Sequence, residues 1–172
     1  MSFTPTNIHF HKGTAGTADL EDDGSEHTLN GEHFDLEMHI VNLNHNTNTK
    51  KKFLAAVIGI LFRVSPHEDE HHARSFADIF FGKLFNKEEC DFNTEFFQHL
   101  NMNERYVYKG SLTTPPYAET LLWNVLPNIV TISKSTYDLF GGVDGNKEIE
   151  KEYNDYVNYG EVVYFGGENR MP

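Results

Sequence analysis

The sequence predicts a mainly β domain (α+β), built on a large twisted, mostly antiparallel sheet with a few short surface helices. Residues 8–11 and 34–43 alternate apolar with polar side chains, which is typical of strands with one buried face. Residues 53–64 are almost all apolar and rich in β-branched types, which predicts a central strand buried on both faces. The clearest helical patterns cover residues 75–85 and 133–140, each of which begins with a serine suited to capping.

The remaining predicted elements are shorter. Asn30-Gly31 is a strong hairpin signal, because both residues tolerate positive φ angles. Residues 92–100 predict a short helix or turn, and Pro127 separates two short strands. The predicted strands after residue 100 cover residues 106–108, 121–126 and 129–132. The polar stretches expected to be loops, turns or irregular structure are 13–24, 44–49, 67–72 and 144–159.

Length and composition exclude several classes of protein. With 172 residues, the chain is expected to form one domain with its own core. The formal net charge of -12 argues against nucleic acid as a partner, since phosphate binding needs a basic face. No apolar stretch is long enough for a membrane span. Cys90 is the single cysteine, so no intrachain disulfide can form, and its acidic neighbours disfavour a reactive thiolate.

Histidines at alternate positions suggest a metal site. In His9-Phe10-His11, a strand would place both imidazoles on one face. Glu37-Met38-His39 has the same form, with Glu37 and His39 sharing a face. Three neutral imidazoles with one open position are typical ligands of a catalytic zinc ion, because the fourth place is left for water. The alternative is that these histidines are merely packed or solvated.

The order of these motifs resembles the α-class carbonic anhydrases. His9-Phe10-His11 resembles the strand that carries the first two zinc ligands, and Glu37-Met38-His39 resembles the strand that carries the third. Ser25-Glu26-His27-Thr28 is similar to the family's SEHT segment. Gly110-Ser111-Leu112-Thr113-Thr114-Pro115-Pro116, followed by Glu119 and Trp123, is similar to its GSLTTPP segment. Ala56-Val57-Ile58-Gly59-Ile60 matches the buried strand between them.

The resemblance implies zinc-dependent, reversible hydration of carbon dioxide to bicarbonate and a proton by zinc-bound hydroxide. It implies that His9, His11 and His39 ligate the Zn2+ ion. Thr113 would accept the hydroxide proton and donate its own to Glu26, so these two residues are the expected catalytic pair. The backbone N–H of Thr113 would bind a substrate oxygen. Inhibition by sulfonamides is expected on the same grounds.

Further roles follow from the same resemblance. Glu37 would accept a hydrogen bond from the outer ring nitrogen of His39, and Asn7 would be the amide partner of His9. Carbon dioxide is apolar, so its pocket should be apolar as well. The residues at the expected substrate-binding positions are Val41, Val57, Leu112, Thr113, Thr114, Leu121 and Trp123.

The resemblance covers essentially the whole chain but not the whole family domain. Residues 1–172 would be a single truncated domain without the family's N-terminal third and last strand, and therefore without the usual proton-shuttling histidine. Proton transfer is then expected to limit turnover, unless His33, His45 or a buffer takes the place of that histidine. Lys12 stands where the family has a tryptophan. No signal peptide is visible, and the compartment stays open.

The truncation supports an alternative function, that of a carbonic-anhydrase-like subunit or fragment with a structural or binding role in a larger assembly. Open sheet edges favour unwanted pairing unless another chain covers them, so a homo-oligomer or a larger assembly is expected. The three retained histidines favour the enzymatic function over this structural or binding role. The expected partner is then a small molecule, carbon dioxide or bicarbonate, with no nucleic acid and no membrane span.

Overall fold

The computed structural model describes residues 3–13, 24–45, 53–66, 74–115 and 117–140 with their side chains, and residues 163–165 as backbone. Its strands are β1 Phe3–Lys12, β2 Leu36–Asn44, β3 Ala55–Val64, β4 Arg105–Gly110, β5 Leu121–Val125, β6 Val130–Ile132 and β7 Val163–Phe165. Its helices are α1 Phe76–Phe85 and α2 Lys134–Leu139, with two short helical turns between them at Phe92–Phe96 and Phe97–His99.

The strands form one sheet in the order β1-β2-β3-β5-β4-β7, and β6 pairs with the end of β3. Four pairs run antiparallel: β1 with β2, β2 with β3, β4 with β5, and β4 with β7. β3 pairs in parallel with β5 and β6, which places it at the centre, as its apolar sequence predicts. The prediction of a mainly β fold is confirmed, with parallel pairing at the centre of the sheet.

The sheet has two faces with different environments. One face packs against α1 through a core that is rich in phenylalanine, and Phe10, Met38 and Ile60 point to it. Consecutive strand residues point to opposite faces, so His9 and His39 lie on the other face. That face carries a second apolar cluster, which lies mainly on β3, β4 and β5.

Several element boundaries differ from the predictions. β1 begins at Phe3, before the predicted start at residue 8, because residues 3–5 also pair with β2, ahead of a register shift between Pro5 and Asn7. β7 was not predicted. The hairpin turn at Asn30-Gly31 is confirmed, with φ angles of 55° and 79°. The predicted loops at 13–24, 44–49, 67–72 and 144–159 lie wholly or mostly outside the described residues.

Both predicted helices are confirmed, and one buried carboxylate caps the two of them. Ser75 precedes α1 and forms a capping box with Asp78. Asp78 Oδ1 also accepts hydrogen bonds from the backbone N–H of Ser133 at 2.8 Å and from its hydroxyl at 3.0 Å, and Ser133 is the N-cap of α2. Burial raises the pKa of Asp78, but hydrogen bonds from Thr136, Ser133 and Ser75 lower it by more.

Replacing Asp78 with alanine is expected to lower the free energy of unfolding by about 2–4 kcal/mol, because the N–H groups of Ser75 and Ser133 lose a buried acceptor. The folded-state pKa lies below the unfolded value of about 3.9, so this stabilisation is present above about pH 4 and is lost as the pH falls through the folded-state pKa. Asp138→Ala is the matched control, because Asp138 pairs with Lys134 on an exposed surface and should contribute less than about 1 kcal/mol. Urea unfolding measures both variants, and equal small losses would contradict the double cap.

None of the described helices is long and apolar enough to cross a membrane.

Candidate metal centre

The register of β1 and β2 brings three histidines together. His9 lies opposite His39, and His11 lies opposite Glu37. His11 Nε2 is 3.1 Å from His39 Nδ1, and His9 Nε2 is 3.3 Å from the same atom. Three ring nitrogens from two strands therefore face one point, and all lie within 4.8 Å of one another.

The outer nitrogens of two of these rings are held by side-chain oxygens. His9 Nδ1–H donates to Asn7 Oδ1 at 2.6 Å, and His39 Nε2–H donates to Glu37 Oε1 at 2.7 Å. Neither oxygen can donate, so each outer nitrogen carries the proton and each inner nitrogen keeps its lone pair. The structure thus brings Asn7 and Glu37 to the ring atoms for which the sequence proposed them.

Burial keeps two of these imidazoles neutral. It lowers the pKa of His9 to about 4, and the neighbouring His11 acts in the same direction. Burial also lowers the pKa of His39 to about 3, although the charge of Glu37 acts in the opposite direction. Since metal ions bind the neutral imidazole, the two rings are ready to ligate at neutral pH.

The arrangement fits a zinc ion. With zinc–nitrogen bonds of about 2.0–2.1 Å, two ligands of a tetrahedral site stand about 3.3–3.4 Å apart. The inner nitrogens of His9 and His11 lie 3.3 and 3.1 Å from that of His39, close to this separation. Three nitrogen donors leave a fourth position for water or substrate.

Two residues behind His39 were missed by the sequence reasoning. Glu37 Oε1 also accepts from His27 Nδ1–H at 2.5 Å, and Glu37 Oε2 accepts from the backbone N–H of His27 at 2.8 Å. His27 Nε2 lies 2.6 Å from the hydroxyl of Tyr108. His27 could have been predicted from its position next to Glu26. For Tyr108 the sequence offers only its position in a predicted strand.

The charge of Glu37 is held by its neighbours. Burial raises the pKa of this carboxyl, but His27 and His39 lower it by more, and the net pKa lies well below the ordinary value. Gly59 leaves room for the group, because it lies opposite His39 and a Cβ there would stand 3.1 Å from Glu37 Oε1. An ionised carboxylate therefore lies in a close-fitting space behind the third histidine.

Glu26, one member of the expected catalytic pair, lies beside two of the histidines. Glu26 Oε1 lies 3.3 Å from His11 Nδ1, and Glu26 Oε2 lies 3.8 Å from His39 Nδ1. The structure thus brings Glu26 to the histidines, and the Glu26–Thr113 contact remains a prediction.

Thr113 and Thr114 lie in the loop between β4 and β5. Thr113 is half-buried and Thr114 is exposed. Thr114 O accepts from the N–H of Tyr117 at 2.9 Å, and the N–H of Leu112 donates to Ala118 O at 3.2 Å. These backbone bonds close the loop on itself and hold Thr113 at its bend.

The expected pocket residues share the face of the histidines. Val57, Leu121 and Trp123 are almost fully buried, at 1–3% exposure, and the Trp123 ring meets that of His39 edge-on with 4.7 Å between centroids. Val41 and Leu112 are half-buried and pack against the same cluster. Val57, Leu121 and Trp123 therefore form the buried base of an apolar surface, and Val41 and Leu112 are its more exposed part.

Lys12 links the strand of His9 and His11 to α2. Its ammonium donates to the carbonyl oxygen of Phe140 at 2.8 Å and lies 4.2 Å from the centre of the Tyr137 ring. The Tyr137 hydroxyl donates to the carbonyl of Gly13. A cation on an aromatic face thus occupies the position where the family has a tryptophan.

Comparison with known proteins decides the family. Residues 1–159 match the family model described as eukaryotic-type carbonic anhydrase. The chain belongs to this carbonic anhydrase family. Human carbonic anhydrase 12 is 33% identical over 140 residues, which are 77% of this chain and 38% of the relative. Human receptor-type tyrosine-protein phosphatase zeta is 30% identical over 151 residues, which are 81% of this chain and 6% of the relative.

Solved carbonic anhydrase structures share the fold. The α-carbonic anhydrase from Thermovibrio ammonificans, in complex with the inhibitor sulfanilamide, has a TM-score of 0.59 at 23% identity, covering 94% of this chain and 62% of that chain. This likeness shows the fold alone. The chain spans 38% of human carbonic anhydrase 12 and 44% of mouse carbonic anhydrase 6. Carbonic anhydrases hydrate carbon dioxide, and the α class generally uses zinc.

Proposed function

We propose that this chain hydrates carbon dioxide reversibly to bicarbonate and a proton at a zinc ion held by His9, His11 and His39. The proposal rests on one observation: three ring nitrogens face a common point. His11 Nε2 lies 3.1 Å and His9 Nε2 lies 3.3 Å from His39 Nδ1. Asn7 and Glu37 support it by holding the outer nitrogens of two rings. Membership of the carbonic anhydrase family supports the reaction.

The residues of this chain can hold the metal ion, orient the reacting group and exclude water. A bound zinc ion would supply a Lewis acid that lowers the pKa of a water molecule to about 7. Glu37 makes His39 a more basic ligand by accepting from its outer nitrogen. The Thr113 hydroxyl can both accept and donate, and its backbone N–H can bind a substrate oxygen. The apolar cluster around Trp123 suits carbon dioxide and excludes water.

Stopped-flow hydration of carbon dioxide tests the proposal. Zinc-loaded protein is expected to hydrate carbon dioxide well above the buffer rate, and sulfanilamide and removal of zinc should each abolish the excess. The metal-stripped protein, shown to be folded by circular dichroism, is the control. A folded, zinc-loaded chain that adds nothing to the buffer rate would contradict the enzymatic function.

Thr113→Ala is expected to retain zinc but to slow hydration about a hundredfold, because it removes the hydroxyl that orients the reacting group. Thr131→Ala is the matched control, because Thr131 is exposed on β6, which pairs with the far end of β3. Hydration rates and zinc content are measured on both variants. An unchanged rate in Thr113→Ala would remove this residue from the mechanism.

A second candidate function is supported by the edge of the sheet. Among the described strands β1 ends the strand order, and its residues 4–8 are exposed although they lie beside the metal centre. An open edge favours pairing with another strand, so the alternative is a binding subunit that joins a second copy or a larger assembly through β1. A similar segment makes up 6% of human receptor-type tyrosine-protein phosphatase zeta, so such a segment also occurs within a much longer protein. Zinc bound without hydration, together with self-association, would favour this candidate.

A further inference from the structure

We propose that Lys12 positions the metal-binding end of β1 by clamping this edge strand to the C-terminal end of α2. The proposal rests on the three-histidine site of the proposed function, because two of those histidines lie on β1. It assigns the task to the side chain that stands where the family has a tryptophan. Lys12 acts through the backbone of β1, from the face of the sheet opposite the histidines.

The strand that carries His9 and His11 is paired along one of its sides. Among the described strands, β1 ends the strand order and has β2 as its single neighbour. Its residues 4–8 are exposed, whereas residues 9–12 are partly buried. Segments with few buried contacts open locally at a low cost in free energy. The metal-binding end of β1 therefore depends on whatever contacts its side chains make with the helices.

Two side chains of β1 reach the end of α2. The centroid of the Phe10 ring lies 4.7 Å from that of the Phe140 ring. The Lys12 ammonium donates to the carbonyl oxygen of Phe140 at 2.8 Å and lies 4.2 Å from the centre of the Tyr137 ring. His11 stands between Phe10 and Lys12 in the chain, so both of its neighbours are fixed to the same helix end.

The end of α2 suits an ammonium group. Phe140 is the C-cap of this helix, and the carbonyl groups of a last helical turn have no partner within their helix. A cation is stabilised by such carbonyls, and the face of the Tyr137 ring attracts it further. The Tyr137 hydroxyl also donates to the carbonyl of Gly13, the residue after Lys12. One turn of helix thus holds two consecutive residues of the chain that leaves β1.

α2 is a firm anchor because its own position is fixed. Tyr137 is 2% exposed and Phe140 is 7% exposed, so both partners of the clamp are part of the core. At the other end of the helix, the N–H of Ser133 donates to Asp78 of α1 at 2.8 Å. The clamp therefore joins an edge strand to a fixed helix, and it reduces the freedom that β1 would lose when its histidines bind a metal ion.

Hydrogen exchange in metal-stripped protein and zinc affinity test the clamp together. Lys12→Met keeps the length of the side chain but removes the ammonium, so the amides of residues 9–12 are expected to exchange about tenfold faster. Zinc, titrated against a chromophoric chelator, should bind about tenfold more weakly to this variant. Lys12→Arg keeps a donor for Phe140 and a cation for the Tyr137 ring, so it should restore most of the protection and most of the affinity.

Two control variants separate positioning from a general loss of stability or of charge. Ser75→Ala removes the N-cap of α1 and should destabilise the protein, yet it should leave zinc affinity and the exchange of residues 9–12 unchanged. Lys109→Met removes an exposed ammonium from β4, three strands away from β1, and should change neither quantity. Zinc affinity that fell as far in Ser75→Ala as in Lys12→Met would follow stability alone and would overturn the positioning role.

The remaining outcomes also decide the proposal. If wild-type protein binds zinc and Lys12→Met stays within about twofold of it in exchange or in affinity, the positioning role is wrong while the zinc site stands. If wild-type protein binds no zinc, the proposed function fails, and the exchange rates alone decide whether Lys12 clamps β1. Should Lys12→Met not fold, the NMR spectrum of the wild type decides: a ring-current shift of the Lys12 Cε protons to higher field supports the clamp, and the shifts of a free lysine overturn it.

Discussion

His39→Ala is expected to lose zinc and carbon dioxide hydration together. His39 Nδ1 is the atom from which both other inner nitrogens stand 3.1–3.3 Å away, so its removal leaves two ligands on one strand. Structural zinc sites in zinc-finger peptides bind with about 10–16 kcal/mol shared among four ligands, and on that scale the loss of one ligand lowers the affinity about a hundredfold or more. Chelator competition measures the affinity, and stopped-flow hydration measures the rate.

The control for His39→Ala is His99→Ala. His99 is exposed and stacks on Phe76, which packs on the opposite side of the sheet, so its replacement removes a histidine without touching the centre. Zinc affinity and hydration should both be unchanged in this variant. Retained zinc affinity in His39→Ala would mean that the ligand assignment is wrong, whatever the rate.

Glu37→Gln is expected to show the second largest effect, on stability and on zinc affinity at once. Glu37 is fully buried and accepts from His39, from the His27 ring and from the His27 backbone. An amide keeps one accepting oxygen for the two imidazoles, but its NH2 group then faces the backbone N–H of His27, and two donors cannot bond to each other. Breaking a buried charged network of this kind costs about 3–5 kcal/mol, and loss of the support for His39 should weaken zinc binding about 10- to 100-fold.

Two further variants separate the causes in Glu37→Gln. Tyr108→Phe removes only the hydroxyl next to His27 Nε2, and it should lower the free energy of unfolding by about 1 kcal/mol with a small change in zinc affinity. Glu95→Gln changes a half-buried partner of Lys83 far from the centre; it should lower the free energy of unfolding only slightly and leave zinc affinity unchanged. Urea unfolding and chelator competition measure all three variants. If Glu37→Gln had the same free energy of unfolding and the same zinc affinity as the wild type, this would contradict the central role of the carboxylate.

The fold and much of the centre could be predicted from the sequence, because they follow from periodicity. Alternation in β1 and β2 put His9, His11 and His39 on one face, and the structure brings all three together. The apolar run in β3 predicted a central strand, which is confirmed. Serines at two helix starts predicted caps, which are confirmed as well.

Other features depend on contacts between distant segments, which periodicity does not contain. Tyr108 meets His27 only because β4 and β5 continue the sheet beyond β3. The parallel pairing of β6 with the end of β3 depends on the path of the chain after Pro127. Glu26 was expected beside Thr113, and only three-dimensional packing places it next to His11. The roles of these residues in catalysis stay predictions.

X-ray absorption at the zinc edge of the zinc-loaded protein tests the metal centre most directly. The structure predicts one zinc ion per chain with three imidazole nitrogens and one further light ligand at about 2.0–2.1 Å. The His39→Ala variant should lose that signal. A folded wild-type chain that holds no zinc after dialysis, or a zinc ion with fewer than three imidazole ligands, would contradict the centre described here.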